Sequence, residues 1–470
     1  MPPRAPDGGT KMGFSRRQIL GLLTTPAWAL LPIRFSSASE VGSSPLLVGD
    51  ATFDITPPLG AELAGYHRIP GQERRVQGIR QRAEGRVLVL TAGDLTACVA
   101  ALDLCAVAAD FTAEVRRELW QRWGIPASNV HLCASHTHSM PSLRPFRQWG
   151  GVLAEYVADV KSKLISAVGV ALESQSRASL RVGKAKAVGA SFNRTAPTWR
   201  NEDEFSLNAT AETRWLDREL HALVFERQGR QPVVWYHFSA HPVCFADEQA
   251  GPDWCGPVAD EVERVFGVRP GFLQGHAGDV NPGPGNPWRG DVSQVSQTVV
   301  EALRSAFEKS APVEVWPLRS AIGWCRLPLD LQMYRQWLDA YRANPEACST
   351  GHWVDQHFAK SWYEDHSRAP WEEQDLLVEI GLLRLGDVAL VFHPAELYSY
   401  YGLWIRSRSP VAHTLVVGYA NDIIGYLPDP MAFEKGEYAA ITVPKILDLP
   451  PFRPEAAQVL ASRAVELLNV

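Results

Sequence analysis

The residues of this chain that could do chemistry sit in short segments, each directly behind an apolar run. Asn129–Ala134 leads straight into Ser135-His136-Thr137-His138-Ser139. Residues i and i+2 of an extended segment share a face, so His136 and His138 present two imidazoles side by side. Such a pair can bind one metal, or bind it with one ring while the other handles protons. Two loop histidines without a task are the plain alternative. His241-Pro242 ends the run Val233–Ser239, where His237 and His241 read equally well as satisfied core or rim histidines. The segment Gln274-Gly275-His276-Ala277-Gly278-Asp279-Val280-Asn281-Pro282 follows another short run. Its glycines permit close backbone approach or positive φ, and a simple turn is the alternative. Glu396 follows Phe392-His393-Pro394, and Tyr426 lies in Gly425-Tyr426-Leu427-Pro428. Nothing local marks Tyr426 as a ligand.

Several familiar signals are absent. The chain has no GxSxG elbow, no GxxxxGK[ST] phosphate loop, no GxGxxG and no HExxH. What remains is polar residues at the ends of apolar strands, where open α/β sheets keep their sites.

The elements that must position these residues follow from periodicity. Strands are expected over Leu46–Ile55, Arg86–Ala92, Ala97–Leu104, Asn129–Ala134, Ser179–Val188, Leu220–Phe225, Val233–Ser239, Gly271–Gln274, Leu376–Leu385 and Val388–Phe392. Helical spacing runs over Phe111–Trp123, Leu153–Leu172, Pro257–Phe266, Val292–Phe307, Glu396–Arg406 and Pro454–Leu468. This alternation predicts an α/β fold with mixed sheets flanked by helices and the site at strand ends and loops. Leu331–Trp371, rich in aromatics and charges, reads as an aperiodic surface insertion or lid. No repeat of 20–50 residues suggests a solenoid, and no domain boundary follows residue 45.

The 470 residues are 46% apolar and 21% charged, an ordinary globular composition. The net charge of −6 argues against a general nucleic-acid binder. It hides an asymmetry: residues 1–38 hold five basic residues and one acid, the remainder 41 basic and 51 acidic. Phe14-Ser15-Arg16-Arg17-Gln18-Ile19-Leu20 opens a 13-residue apolar run to Leu31, too short to span a bilayer. Ser36-Ser37-Ala38 offers a cleavage site. The segment resembles a twin-arginine export signal, with an ordinary secretion signal or a retained anchor as alternatives. The expected organisation is a signal peptide over 1–38 and one domain over 45–470, in a periplasmic or extracellular protein without a transmembrane segment. The seven cysteines form no CxxC pair. Export would permit disulfides, Cys244–Cys255 being one conceivable bridge, and small buried residues are the alternative reading.

Taken together, these segments resemble the neutral/alkaline non-lysosomal ceramidase family, zinc amidases that cleave the N-acyl bond of ceramide. Gly49–Pro58 with Leu63-Ala64-Gly65-Tyr66 looks like the family's opening strand, and Ala134–Ser139 like its HTHS motif. Phe192-Asn193-Arg194-Thr195 is similar to its NR(S/T) segment, and Ala240-His241-Pro242 to its second histidine motif. Gly278–Pro282 is similar to its GDxSPN loop, and Pro394-Ala395-Glu396 to its acidic segment. Tyr419–Asp422 through Tyr426, with Tyr438 twelve residues later, looks like its two-tyrosine segment.

The resemblance implies a Zn2+ held by His136, His241, Glu396 and Tyr426, with His138, Arg194 and Tyr438 contacting substrate. It implies a zinc-activated water attacking an amide carbonyl, an oxyanion steadied by Tyr438, a proton passed by His138 and a polar group anchored by Arg194. Two departures stand out. Asn281 replaces the family's serine and Gly283 its second asparagine, so Asn281 is expected to orient a carbonyl. The chain also ends about thirty residues after Tyr438, which leaves no space for the family's C-terminal domain. The leading expectation is an exported zinc hydrolase of a small-molecule or lipid-like N-acyl amide, with possible transient membrane-surface contact. The alternatives are a zinc esterase, a hydrolase of non-lipid amides, and a non-catalytic binding module on a degenerate fold.

Overall fold

The computed structural model describes residues 34–37, 44–348, 353 and 356–470. Residues Phe14–Leu31, where the sequence leads one to expect an export signal, lie outside the described residues. Arg34–Ser37 is a strand paired antiparallel with Leu318–Pro328.

Strand Glu84–Ala92 shows how the layers arise. Its stretch Val87–Leu90 is apolar at every position, so both faces must be buried. Val87 and Val89 face one core, with helices Ala109–Trp123 and Ala154–Glu173, and Leu88 and Leu90 face another, between two sheets. The larger sheet has the order Gly271–Gln274, Val233–Phe238, Glu219–Arg227, Ser176–Lys186, Leu47–Asp54, Glu84–Ala92, Leu95–Leu102, Val130–Ala134, with Ala311–Pro312 as a ninth strand beside Ser176–Lys186. The smaller sheet has the order Arg34–Ser37, Leu318–Pro328, Asp375–Leu385, Val388–Phe392, His413–Val417. Leu180, Leu223, Phe225 and Trp235 of the first pack on Leu383, Leu385, Leu390 and Leu415 of the second. Helices cover the outer faces, among them Val292–Glu308 on the large sheet and Ala456–Leu468 on the small one. The expected mixed α/β fold with flanking helices is present, and the sheets stack face to face within it.

Most pairs are antiparallel. The parallel ones, Leu95–Leu102 with Val130–Ala134, Val233–Phe238 with Gly271–Gln274 and Val388–Phe392 with His413–Val417, include the two edges of the large sheet. Those edges are tied together by Gln274, which is fully buried. Its Nε2 donates to Ser135 O (3.0 Å) and Ala240 O (2.8 Å), and its Oε1 accepts from Gly275 N (3.1 Å).

Three expectations need correction. Leu331–Trp371 is neither aperiodic nor a loose lid. It contains helices Leu331–Ala343 and Gln356–Arg368, which bury Tyr334, Trp337 and Trp362. Leu331, Tyr334, Trp337, Leu338 and Tyr341 carry the helical spacing, and the charged residues between them obscured it. Glu396 is not on a helix. It sits in strand Ala395–Leu397, and the helix starts at Ser399. All seven cysteines are free thiols. Cys255 turns into the core at the start of helix Cys255–Phe266, while Cys244 N is held by Asp253 Oδ1, so the Cys244–Cys255 bridge is not formed.

The insertion is joined to the segment carrying Tyr438 through Lys445, a fully buried residue. Its Nζ lies 3.7 Å from the Trp337 ring centroid and donates to Ile441 O (2.7 Å). Burial pulls the Lys445 ammonium down to about 7 against an ordinary 10.5. Between those values the unfolded chain holds a proton that the folded one has released, so unfolding free energy should rise with pH. Denaturant melts from pH 7 to 10 should show that rise, and Lys445→Met should flatten it. Trp362→Ala should cost about 3–5 kcal/mol in the same melts; a cost near zero would mean the insertion is not packed.

Candidate metal centre

Five strand ends deliver the site. His136 follows Val130–Ala134, His241 follows Val233–Phe238, the Gly278–Asn281 loop follows Gly271–Gln274, Glu396 follows Val388–Phe392, and Tyr419 follows His413–Val417. Ser135 N and His136 N donate to Leu102 O and Leu104 O (both 2.9 Å), and Ala134 N donates to Tyr419 O (3.1 Å). His136 has φ +64 and Tyr419 φ +55. Side chains rarely accept this backbone region, at a cost of about 1–3 kcal/mol each unless the surroundings enforce it. The Tyr419 ring stacks on His136 with 4.2 Å between centroids.

His136 Nδ1 donates to Cys105 O (2.8 Å), and His241 Nδ1 to Val280 O (3.0 Å). A carbonyl only accepts, so both rings turn Nε2 inward. His136 Nε2 lies 3.4 Å, and His241 Nε2 3.2 Å, from Glu396 Oε2. His136 is 3% exposed and the other two are fully buried. Glu396 Oε1 has no hydrogen-bond partner. Imidazole nitrogens oriented by second-sphere carbonyls, beside a buried carboxylate with an unpartnered oxygen, fit a divalent transition metal. A second group of potential ligands, Cys105, His136 and His138, adjoins this one.

Electrostatics express the same crowding. Burial pulls His136 down, but the Glu396 carboxylate and the Cys105 side chain outweigh it and bring it to about 10. Burial and the Arg194 charge take His241 to about 3. Burial pushes Glu396 up, yet the two histidines hold it well below the carboxylate range. His138 Nε2 stands 3.2 Å from His136 Nε2. Burial and the charges of His136, His241 and Arg194 keep His138 neutral.

Tyr426 is the register partner of Glu396 across the parallel pair Ala395–Leu397 and Gly425–Leu427. Burial raises its phenol despite nearby Arg194. Arg194 Nη2 donates to Tyr426 Oη and Gly278 O (both 2.8 Å), and Nη1 to Asn281 Oδ1 (3.1 Å). Asn281 Nδ2 donates to Trp288 O (2.9 Å). Asn281 thus spends both polar atoms on scaffold contacts, which makes it a positioning residue rather than one free to orient a carbonyl. Tyr438, 40% exposed, sits at the mouth with its hydroxyl 2.7 Å from His67 Nε2. Its hydroxyl partner is thus outside the three central side chains, as are those of Asn281, whereas His138 reaches His136 and Arg194 reaches His241.

Sequence reasoning missed the supporting residues. Asp279 is buried; its Oδ1 accepts from Ser399 N and Oγ (both 2.8 Å) and its Oδ2 from Asn193 Nδ2 (2.7 Å). This locks the Arg194 segment to the Glu396 segment. Gly278 is required by close approach, since a Cβ there would lie 2.3 Å from Glu396 O. Gly65 has φ +93, and a Cβ there would lie 2.4 Å from His138 Cγ. Both glycines stand in the quoted segments, so their signal was present without a stated role.

The fold and centre define a mixed α/β protein with a buried two-histidine, one-carboxylate ligand set at converging strand ends. Residues 46–269 match the family described as neutral/alkaline non-lysosomal ceramidase, N-terminal. That match supports a ceramidase-like hydrolase as the class. The neutral ceramidase from Pseudomonas aeruginosa is similar in fold, with TM-score 0.65 and 19% identity, over 91% of this chain and 75% of that one. A ceramidase structure described as complexed with C2 gives TM-score 0.66 and 19% identity over 90% and 75%. No curated protein sequence matches the chain significantly.

Gly65→Ala should destabilise the protein by about 1–3 kcal/mol, because both the backbone and the His138 ring must move. Chemical denaturation measures this; wild-type stability in the variant would show that His138 is not held by that contact.

Proposed function

We propose that this chain is an exported zinc-dependent hydrolase of N-acyl amides, in which His136, His241, Glu396 and Tyr426 hold the metal. The observation that carries the reading is the pair of inward Nε2 atoms at 3.2–3.4 Å from one buried carboxylate oxygen. Zn2+ suits these nitrogen and oxygen donors, and when bound it supplies Lewis acidity and a water of lowered pKa.

The chain's own residues provide the rest. The Cys105 and Val280 carbonyls fix the ring tautomers. Arg194, held to Gly278 O and Asn281, keeps a cation beside the Tyr426 hydroxyl and can anchor a polar substrate group through its fork. Neutral His138 is in a state to accept a proton and pass it to a leaving amine. The Tyr438 hydroxyl at the mouth can donate to a carbonyl oxygen that gains charge. A ceramide-like substrate is supported by the family match, and export by the paired arginines Arg16 and Arg17. No helix among the described residues is long and apolar enough to cross a membrane.

Metal analysis of the purified protein should find about one zinc per chain, and His136→Ala and Glu396→Gln should lose it together with at least about 100-fold in kcat/KM on an N-acyl amide. Cleavage of O-acyl but not N-acyl substrates would move the assignment to an esterase. Zinc without turnover of either would leave a binding module, and His136→Ala with unchanged activity would end the metal assignment.

A further inference from the structure

We propose that the mouth of this centre selects N-acyl amides whose amine half carries an anionic group such as a carboxylate, and that Arg289 is the residue that reads it. This deepens the hydrolase reading and rests on it for the reaction, though not for the binding.

Arg289 is exposed on the turn between Pro282 and Gly290 and pairs with no carboxylate among the described residues. Its guanidinium carbon lies 5.2 Å from the Tyr66 ring centroid. Tyr66 in turn meets the His138 ring edge-on at 4.9 Å. Arg289 is therefore one ring removed from a residue of the centre. A second guanidinium, Arg74, lies 4.7 Å from the same Tyr66 ring. It gives its hydrogen bonds to the carbonyls of His138 (3.1 Å) and Asp247 (2.7 Å), with the Asp247 and Glu248 charges nearby but in no salt bridge to it among the described residues.

Cations held outside salt bridges in this way are not the habit of the chain. Beyond residue 38 acids outnumber bases by 51 to 41. Elsewhere buried or half-buried arginines are matched by acids: Arg214 by Asp429 and Glu437, Arg218 by Glu202 and Asp203, Arg406 by Asp217 and Glu219, Arg116 by Glu379. A positive mouth on a negative protein draws anions and focuses their approach.

The position is also built. Asn281 bridges from Arg194 to the Trp288 carbonyl, and Gly290 N donates to Pro287 O (2.9 Å). The Asn281 amide thus ties the turn that presents Arg289 to Arg194. A planar guanidinium matches a carboxylate through two parallel hydrogen bonds. In the proposed reaction His138 serves the leaving amine, so Arg289, reached from it through the Tyr66 ring, would meet substituents on that half.

The test compares N-lauroylglycine with the near-isosteric neutral N-lauroylethanolamine on the zinc-loaded full chain at low ionic strength. The wild type should favour the anionic amide by about tenfold or more in kcat/KM, with the preference shrinking as salt is added. Arg289→Gln should cut that ratio about tenfold, mainly through KM, and Arg289→Lys should restore part of it. Equal use of both amides by the wild type, or a ratio indifferent to Arg289→Gln, overturns the proposal. Calorimetric binding of the same two molecules gives the second readout. Anion-selective binding lost in Arg289→Gln, without cleavage, would sink the hydrolase reading and keep this one. Cleavage of both with no selectivity would do the reverse.

Discussion

Two imidazole Nε2 atoms held within 3.4 Å of one buried carboxylate oxygen govern this structure. The Nε2 lone pairs of His136 and His241 and the carboxylate of Glu396 would repel one another in a buried place unless a positive charge stood among them. The rings cannot turn away, because their Nδ1 atoms are spent on the Cys105 and Val280 carbonyls. A proton on His136 is one such charge, and its elevation to about 10 expresses that. A divalent cation satisfies all three atoms at once, and proton and metal compete for the same place.

Holding that arrangement takes contributions from both sheets. Parallel pairing at sheet edges brings strand C-termini to one side, and the two large-sheet edges approach closely enough for one amide, Gln274, to bind both the His136 and the His241 segments. Asp279 performs the equivalent task between the Arg194 and Glu396 segments. These buried polar groups are fully engaged, the condition under which such networks rigidify a site rather than weaken it. The unfavourable φ values at His136 and Tyr419 are tolerated because backbone hydrogen bonds on either side fix the chain there.

The sequence was legible where burial writes a period. Strands such as Arg86–Ala92 and Val388–Phe392 and helices such as Val292–Phe307 were readable from their apolar runs, as was the general class of fold. The strand Leu318–Pro328 was not, because Arg319, Ser320, Gly323 and Arg326 interrupt it and its other positions pair with a sheet far away in sequence. The short pairs Ser191–Asn193 with Val280–Pro282 and Ala395–Leu397 with Gly425–Leu427 have no local signal at all, being three residues each and defined by their partners. The same holds for the centre. His136-x-His138 was visible as a candidate from spacing, but His241, Glu396 and Tyr426 came only from the order of motifs, since His241 meets Glu396 across 155 residues and Tyr426 meets it only as a register partner in a short two-stranded pair.

Asn281 shows what a motif cannot convey. As a letter it is a departure from a family pattern and invites the thought of a lost function. In place, its amide has two ends with different partners, one on the Arg194 guanidinium beside His241 and one on the turn bearing Trp288 and Arg289. The substitution therefore couples the depth of the site to its rim. Lys445 ties the aromatic insertion to the short helices Tyr438–Ile441 and Val443–Ile446, the first of which carries Tyr438. The catalytic-type residues lie on strand ends that the fold dictates. The mouth is assembled from turns and an insertion that the fold leaves free to vary, and differences in substrate among chains with this centre should arise there.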